Sequence, residues 1–213
     1  SKSTKSNGRV SEVSSRLTPV SLSSSQFDVI DGCKLHDHRG NDGDSFHVQT
    51  PGGREEFRLY FVDAPESAAR TYGPGENNYK RIAEQGASMG GLDQKQTTQV
   101  GVEAKLFVKK LLKARKFSIA TTGEKVYRSH RKYAFIIVKW EGEERYPHEL
   151  LVAYGLGRIH TKPMTLPDNT SSTRHASKTW RIMPRKTTTE LGESASQVQL
   201  FIFKSSIHPF KKC

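Results

Sequence analysis

The chain has 213 residues, of which 34% are hydrophobic and 26% charged, and it carries a net charge of +12. No stretch approaches the ~18 consecutive apolar residues of a membrane span, so no integral membrane segment is expected. Two cysteines, Cys33 and Cys213, exclude a disulfide framework and a four-thiolate zinc site. The charge points to an anionic partner, but nine of the twelve excess positive charges lie in residues 1–24 and 161–213. Residues 25–160 are close to balanced, so net charge alone does not define a nucleic-acid groove there.

Residues 1–25 hold ten serines and no apolar period, and read as a flexible linker. Residues 27–31 are a predicted short strand, and residues 44–50 alternate as a half-buried strand should. The turn Pro51, Gly52, Gly53 joins them to a second strand over 55–62, so 44–62 is a predicted hairpin. Residues 70–98 read as an irregular insert with one short helix around 79–85. Val100, Ala104, Phe107, Val108, Leu111 and Leu112 then fall at helical spacing, with lysines on the solvated face. Residues 117–120 and 133–139 are predicted strands, and 148–154 a short helix stopped by Gly155 and Gly157. The expected domain spans 26–176, followed by a basic tail over 177–213 with an isolated apolar run at 198–203. The pattern predicts a strand-rich barrel with two or three helices.

Three constellations carry chemistry. Asp42, Gly43 and Asp44 precede a strand, and by themselves read as a polar turn. Asp63 and Glu66 flank Ala64 and Pro65 directly after the strand that carries Arg58, where loop sites are often built. Arg131 stands two residues before the apolar strand that starts at Tyr133. Together, three carboxylates and two arginines at strand ends can make an oxygen site for a hard cation beside a phosphate clamp. Arg58 and Glu66 would lie about 26 Å apart in a fully extended chain, so the site requires a bend at 63–65 that folds Glu66 back. Two other candidates are weaker. His36 and His38 without a third imidazole or thiolate make a poor zinc site, and Cys33 reads as a buried small residue.

The segment from Phe57 to Glu66 (FRLYFVDAPE), preceded by Asp42, Gly43, Asp44 and Ser45, resembles the thermonuclease (staphylococcal-nuclease-like) family. So do Arg131 with Ala134, Phe135 and Ile136, and the run from Glu149 to Ile159 (ELLVAYGLGRI). The resemblance covers roughly residues 31–159. It implies a five-stranded OB-type α+β barrel and a calcium-dependent endonuclease that acts on DNA and/or RNA and leaves 3′-phosphate ends. Asp44 and Asp63 would be calcium ligands, with the backbone carbonyl of Ala64 as a third. Glu66 would orient or deprotonate the attacking water, and Arg58 and Arg131 would hold the scissile phosphate.

The chain departs from the family pattern in three places. His130 stands where a glycine is usual before the second arginine, which makes Arg128 an alternative to Arg131, although register to the following strand favours Arg131. His160 and Thr161 follow Ile159 where nucleotide-stacking tyrosines are common, and no closing amphipathic helix is evident after Arg174. Family habit and the Ser-rich start point to a secreted or cell-envelope protein, expected to act as a monomer. The alternative function is a non-catalytic OB-type module that grips nucleic acid or a partner; such a module should have lost an acid or an arginine, and here all five are present.

Overall fold

Alternation of apolar and polar residues places one face of each early strand inside. In the computed structural model, which describes residues 27–113 and 115–160, β1 (Asp28–Leu35), β2 (Ser45–Thr50) and β3 (Gly53–Leu59) form an antiparallel meander. Phe46 and Val48 of β2 and Phe57 and Leu59 of β3 are buried. Next come β4 (Val62–Asp63), the small hairpin β5 (Thr71–Gly73) and β6 (Glu76–Asn77), then helices α1 (Tyr79–Ser88) and α2 (Gln94–Lys113). The chain continues through β7 (Phe117–Thr121), β8 (Lys132–Trp140), β9 (Glu143–Arg145), helix α3 (Pro147–Ala153) and β10 (Arg158–Ile159).

The sheet order is β3-β2-β1-β7-β8-β9, and β3 also pairs in parallel with β8, setting Arg58 opposite Tyr133. That last pairing closes five strands into a barrel, and the three helices pack on it, as an α+β fold of OB type. The barrel interior and the underside of α2 share one core, which includes Phe46, Phe57, Phe107, Leu112, Ile119 and Ile136. β8 is apolar on both faces for a reason. Ala134, Ile136 and Val138 face that core, while Phe135 and Ile137 join a second cluster with Phe27, Tyr60 and Tyr146.

The structure corrects three expectations. Residues 55–62 are not one strand: β3 stops at Leu59, Phe61 takes a left-handed backbone (φ 65°), and β4 then pairs with β10. A bulky residue in that region is strained, and the strain is held where Asp63 is aimed inward. Second, α2 begins at Gln94, six residues before its first apolar position. Asp93 accepts from the Gln96 N–H (2.8 Å) and Gln96 Oε1 accepts from the Asp93 N–H (3.0 Å), a reciprocal cap that starts the helix without apolar help. Third, 70–98 is not irregular outside the expected short helix: that helix is α1, which packs on α2 and contributes to the site, and the hairpin β5–β6 precedes it. The linker, the 177–213 tail and the 198–203 run lie outside the described residues. Among the described residues, no helix is long and apolar enough to cross a membrane.

Candidate active site

Two strand ends and one helix converge on Asp63, which is fully buried. Arg58 leaves β3 with its Nη2 3.0 Å from Asp63 Oδ1 and 3.1 Å from Asp44 Oδ2, while its Nη1 reaches Asp44 Oδ1 at 3.3 Å. One guanidinium therefore sits between the two aspartates. Asp44 is fixed on its other side by the Ala64 N–H (3.0 Å) and the Ser45 hydroxyl (2.9 Å). Ser45 Oγ in turn accepts from Arg131 Nη1 at 3.1 Å, which brings Arg131 to the rim of the same cluster. Arg128 instead lies over the exposed Tyr127 ring, 5.1 Å from its centroid.

The bend that the site requires is present, and Gln85 makes it. This fully buried amide donates to Asp63 Oδ2 (2.9 Å) and to the Ala64 carbonyl (3.1 Å), and its Oε1 accepts from the Glu66 N–H (3.0 Å). Arg81, one turn earlier on α1, completes the fold-back: Nε donates to Glu66 Oε1 (2.8 Å) and Nη2 to Asp63 Oδ1 (2.5 Å). Arg158 enters from β10 and donates to Asp63 Oδ2 at 3.0 Å. The turn after α3 delivers it. Leu156 N–H bonds the Leu151 carbonyl at 2.7 Å across Gly155 (φ 70°), a six-to-one closure that ends the helix and starts β10.

Sequence reasoning missed Arg81, Gln85 and Arg158. One local signal was available for Gln85: it follows Ile82 by three residues on the apolar face of α1, where a polar residue needs a buried partner. Arg158 lies within the 149–159 run that carries the resemblance, with no role attached to it there, and no local signal marks Arg81.

Burial and neighbouring cations pull the buried aspartates in opposite directions. Burial pushes the Asp44 carboxyl above its ordinary value, with Arg58 opposing and Asp63 adding to the rise. Asp42 is raised to about 6 by burial and then by Asp44. For Asp63, burial acts upward too, but Arg81, Gln85, Arg58 and Arg158 outweigh it and hold the carboxyl below the usual range. Asp44 and Asp63 beside the Ala64 carbonyl supply only hard oxygen donors, which fits calcium and not a soft transition metal. Among the described residues no group of three or more His, Cys, Asp or Glu side chains is arranged to hold a metal.

The other candidates are accounted for. Asp37, between His36 and His38, pairs with Lys109 (3.0 Å) and Lys113 (2.9 Å) from α2, and the His38 ring packs at a tilt against that of His47, centroids 3.9 Å apart. Cys33 is buried, and burial raises its thiol to about 11, well away from a reactive thiolate.

Two glycines let α2 approach this site. A Cβ on Gly43 would lie 2.6 Å from the Ala64 Cβ, and one on Gly101 would lie 2.4 Å from the Glu66 carbonyl oxygen and 2.5 Å from that of Pro65. Gly101→Ala is therefore expected to lower stability by about 1–3 kcal/mol through overpacking against rigid backbone. A control at Gly73, where a Cβ meets nothing within 4 Å, should change stability by less than about 0.5 kcal/mol. Urea titration of both variants measures the difference, and equal midpoints would exclude this packing role.

No protein-family model matches the chain, and no curated protein does either.

Proposed function

We propose that the chain is a calcium-dependent nuclease of the thermonuclease kind, hydrolysing phosphodiester bonds of DNA and/or RNA and leaving 3′-phosphate ends. The observation that carries this reading is the convergence of Arg58, Asp44, Asp63 and Glu66 on one point, with Arg131 at its rim. Asp44 directly before β2, Arg58 of β3, the 63–66 bend and the 126–131 turn meet there, although nothing in barrel packing requires a cluster of buried ions. Buried ion clusters rarely add stability over apolar packing, so the cluster points to a role other than holding the fold together.

In this mechanism Asp44, Asp63 and the Ala64 carbonyl would hold calcium, which supplies positive charge to a phosphate oxygen and helps place the water. Arg58 and Arg131 would grip the phosphate through paired N–H donors. Glu66 accepts a proton from the attacking water as its oxygen bonds to phosphorus. The phosphorus–O5′ bond then breaks, and the 5′ oxygen takes a proton from solvent. Fixed guanidinium donors oppose the charge that develops on the phosphoryl oxygens.

One observation favours the alternative, a non-catalytic OB-type binding module: both aspartates are already fully engaged by guanidinium, amide and hydroxyl donors. Incubation with plasmid, single-stranded DNA and RNA, in calcium or in excess chelator, separates the two readings. Cleavage is expected in calcium, with 3′-phosphate ends. Little is expected in magnesium, which demands tighter octahedral geometry. Binding without cleavage under every condition would select the module, and full cleavage in chelator would remove calcium from the mechanism.

A further inference from the structure

The donors around Asp63 leave no lone pair free. Its Oδ1 accepts from Arg58 Nη2 (3.0 Å) and Arg81 Nη2 (2.5 Å), and its Oδ2 from Gln85 Nε2 (2.9 Å) and Arg158 Nε (3.0 Å). A carboxylate offers about four acceptor positions, and all four are taken. Any cation that binds Asp63 must therefore displace a donor. The four are not equally held. Gln85 is fully buried and makes three hydrogen bonds within the bend. The side chains of Arg58 and Arg158 are each 12% exposed; Arg58 also pairs with Asp44, and Arg158 with the Glu84 carbonyl and Ser88. Arg81 is 41% exposed, and its guanidinium bridges Asp63 and Glu66. Its long side chain can swing into solvent without breaking the bend that Gln85 holds.

We infer that Arg81 is an internal stand-in for the divalent cation: it and calcium exclude one another at Asp63, and its departure also releases Glu66. The inference rests on the calcium reading above and adds to it a positioning residue on α1. With Arg81 seated, the acids are neutralised and Glu66 is held by a cation. With Arg81 displaced, Asp63 gains an open position and Glu66 Oε1 can meet water, while Oε2 keeps its long contact from Asn78 Nδ2 (3.5 Å). Cation binding and release of the acid become one event.

Calcium titration calorimetry tests this on the full chain without any substrate. Arg81→Gln removes the competing guanidinium and is expected to bind calcium about tenfold more tightly than wild type, equivalent to about 1.4 kcal/mol. Lys80→Gln removes an exposed charge from the neighbouring position and should change affinity less than about twofold, because exposed charges at longer range are screened. A melting curve for each variant establishes that it is folded. Equal calcium affinity in wild type and Arg81→Gln would overturn the stand-in role and leave the calcium site in place. An equal gain in Lys80→Gln would also overturn it, as a general charge effect. No calcium binding by any of the three proteins would overturn the calcium reading and the stand-in together.

Discussion

Replacing Arg131 by alanine is expected to lower turnover by about 10²–10³-fold, the loss of about 3–4 kcal/mol of transition-state stabilisation. The melting temperature should stay close to that of wild type. The separation between the two effects follows from where the side chain sits. Arg131 is half-buried at the rim, held by hydroxyls, with Nε 2.9 Å from Ser129 Oγ and Nη1 3.1 Å from Ser45 Oγ. Neutral hydroxyls can rotate to water when it leaves, so little folding energy depends on it. Arg128→Ala should change neither quantity, because that side chain lies over Tyr127 on the outer surface. Steady-state rates on a plasmid substrate, paired with melting curves, check both variants. A normal rate for Arg131→Ala with a lost rate for Arg128→Ala would reverse the register of the phosphate clamp.

Arg58→Ala is expected to behave differently, losing about 3–5 kcal/mol of stability as well as activity. Arg58 lies between Asp44, whose side chain is 7% exposed, and Asp63, which is fully buried. Without the guanidinium the two carboxylates face each other with no shared cation, and neither can reach water. Arg81 and Arg158 still hold Asp63, so Asp44 is the group left uncompensated. The double variant Arg58→Ala with Asp44→Asn should therefore recover part of the lost stability while remaining inactive. Arg58→Lys keeps a charge but not the planar two-pronged fork, and should lose activity with a smaller loss of stability. Urea titration of the set reads these terms directly. An Arg58→Ala midpoint equal to that of wild type would show that the pair is solvated and that burial does not govern this site.

The two arginines differ in consequence although both were legible at the same level. Arg58 and Arg131 stand out in the sequence as cations at strand ends beside carboxylates, and that pattern nominates both without ranking them. Only the parallel pairing of β3 with β8 sets Arg58 opposite Tyr133 and leaves Arg131 at the rim. Their different burial, and hence their different expected stability effects, is a property of barrel closure.

The strands near 27–31, 44–50, 117–120 and 133–139, the α+β barrel class and the short α3 were readable from the sequence because apolar periodicity and turn residues are local. The acids were readable for the same reason: Asp42, Asp44, Asp63 and Glu66 lie in short segments next to strand signals. What locality could not supply was the strand break at Phe61, since a left-handed bulky residue is tolerated only when β4 finds β10 almost 100 residues later. Nor could it supply Arg81, Gln85 and Arg158, which reach Asp63 across 18, 22 and 95 residues. Charge balance in a buried cluster is decided by whichever cations the fold delivers to it. The sequence by itself nominated Asp44, Asp63 and Glu66 as the carboxylates of one site. The tertiary structure alone decided which guanidinium groups neutralise them, because that depends on how α1 and β10 dock against the closed barrel.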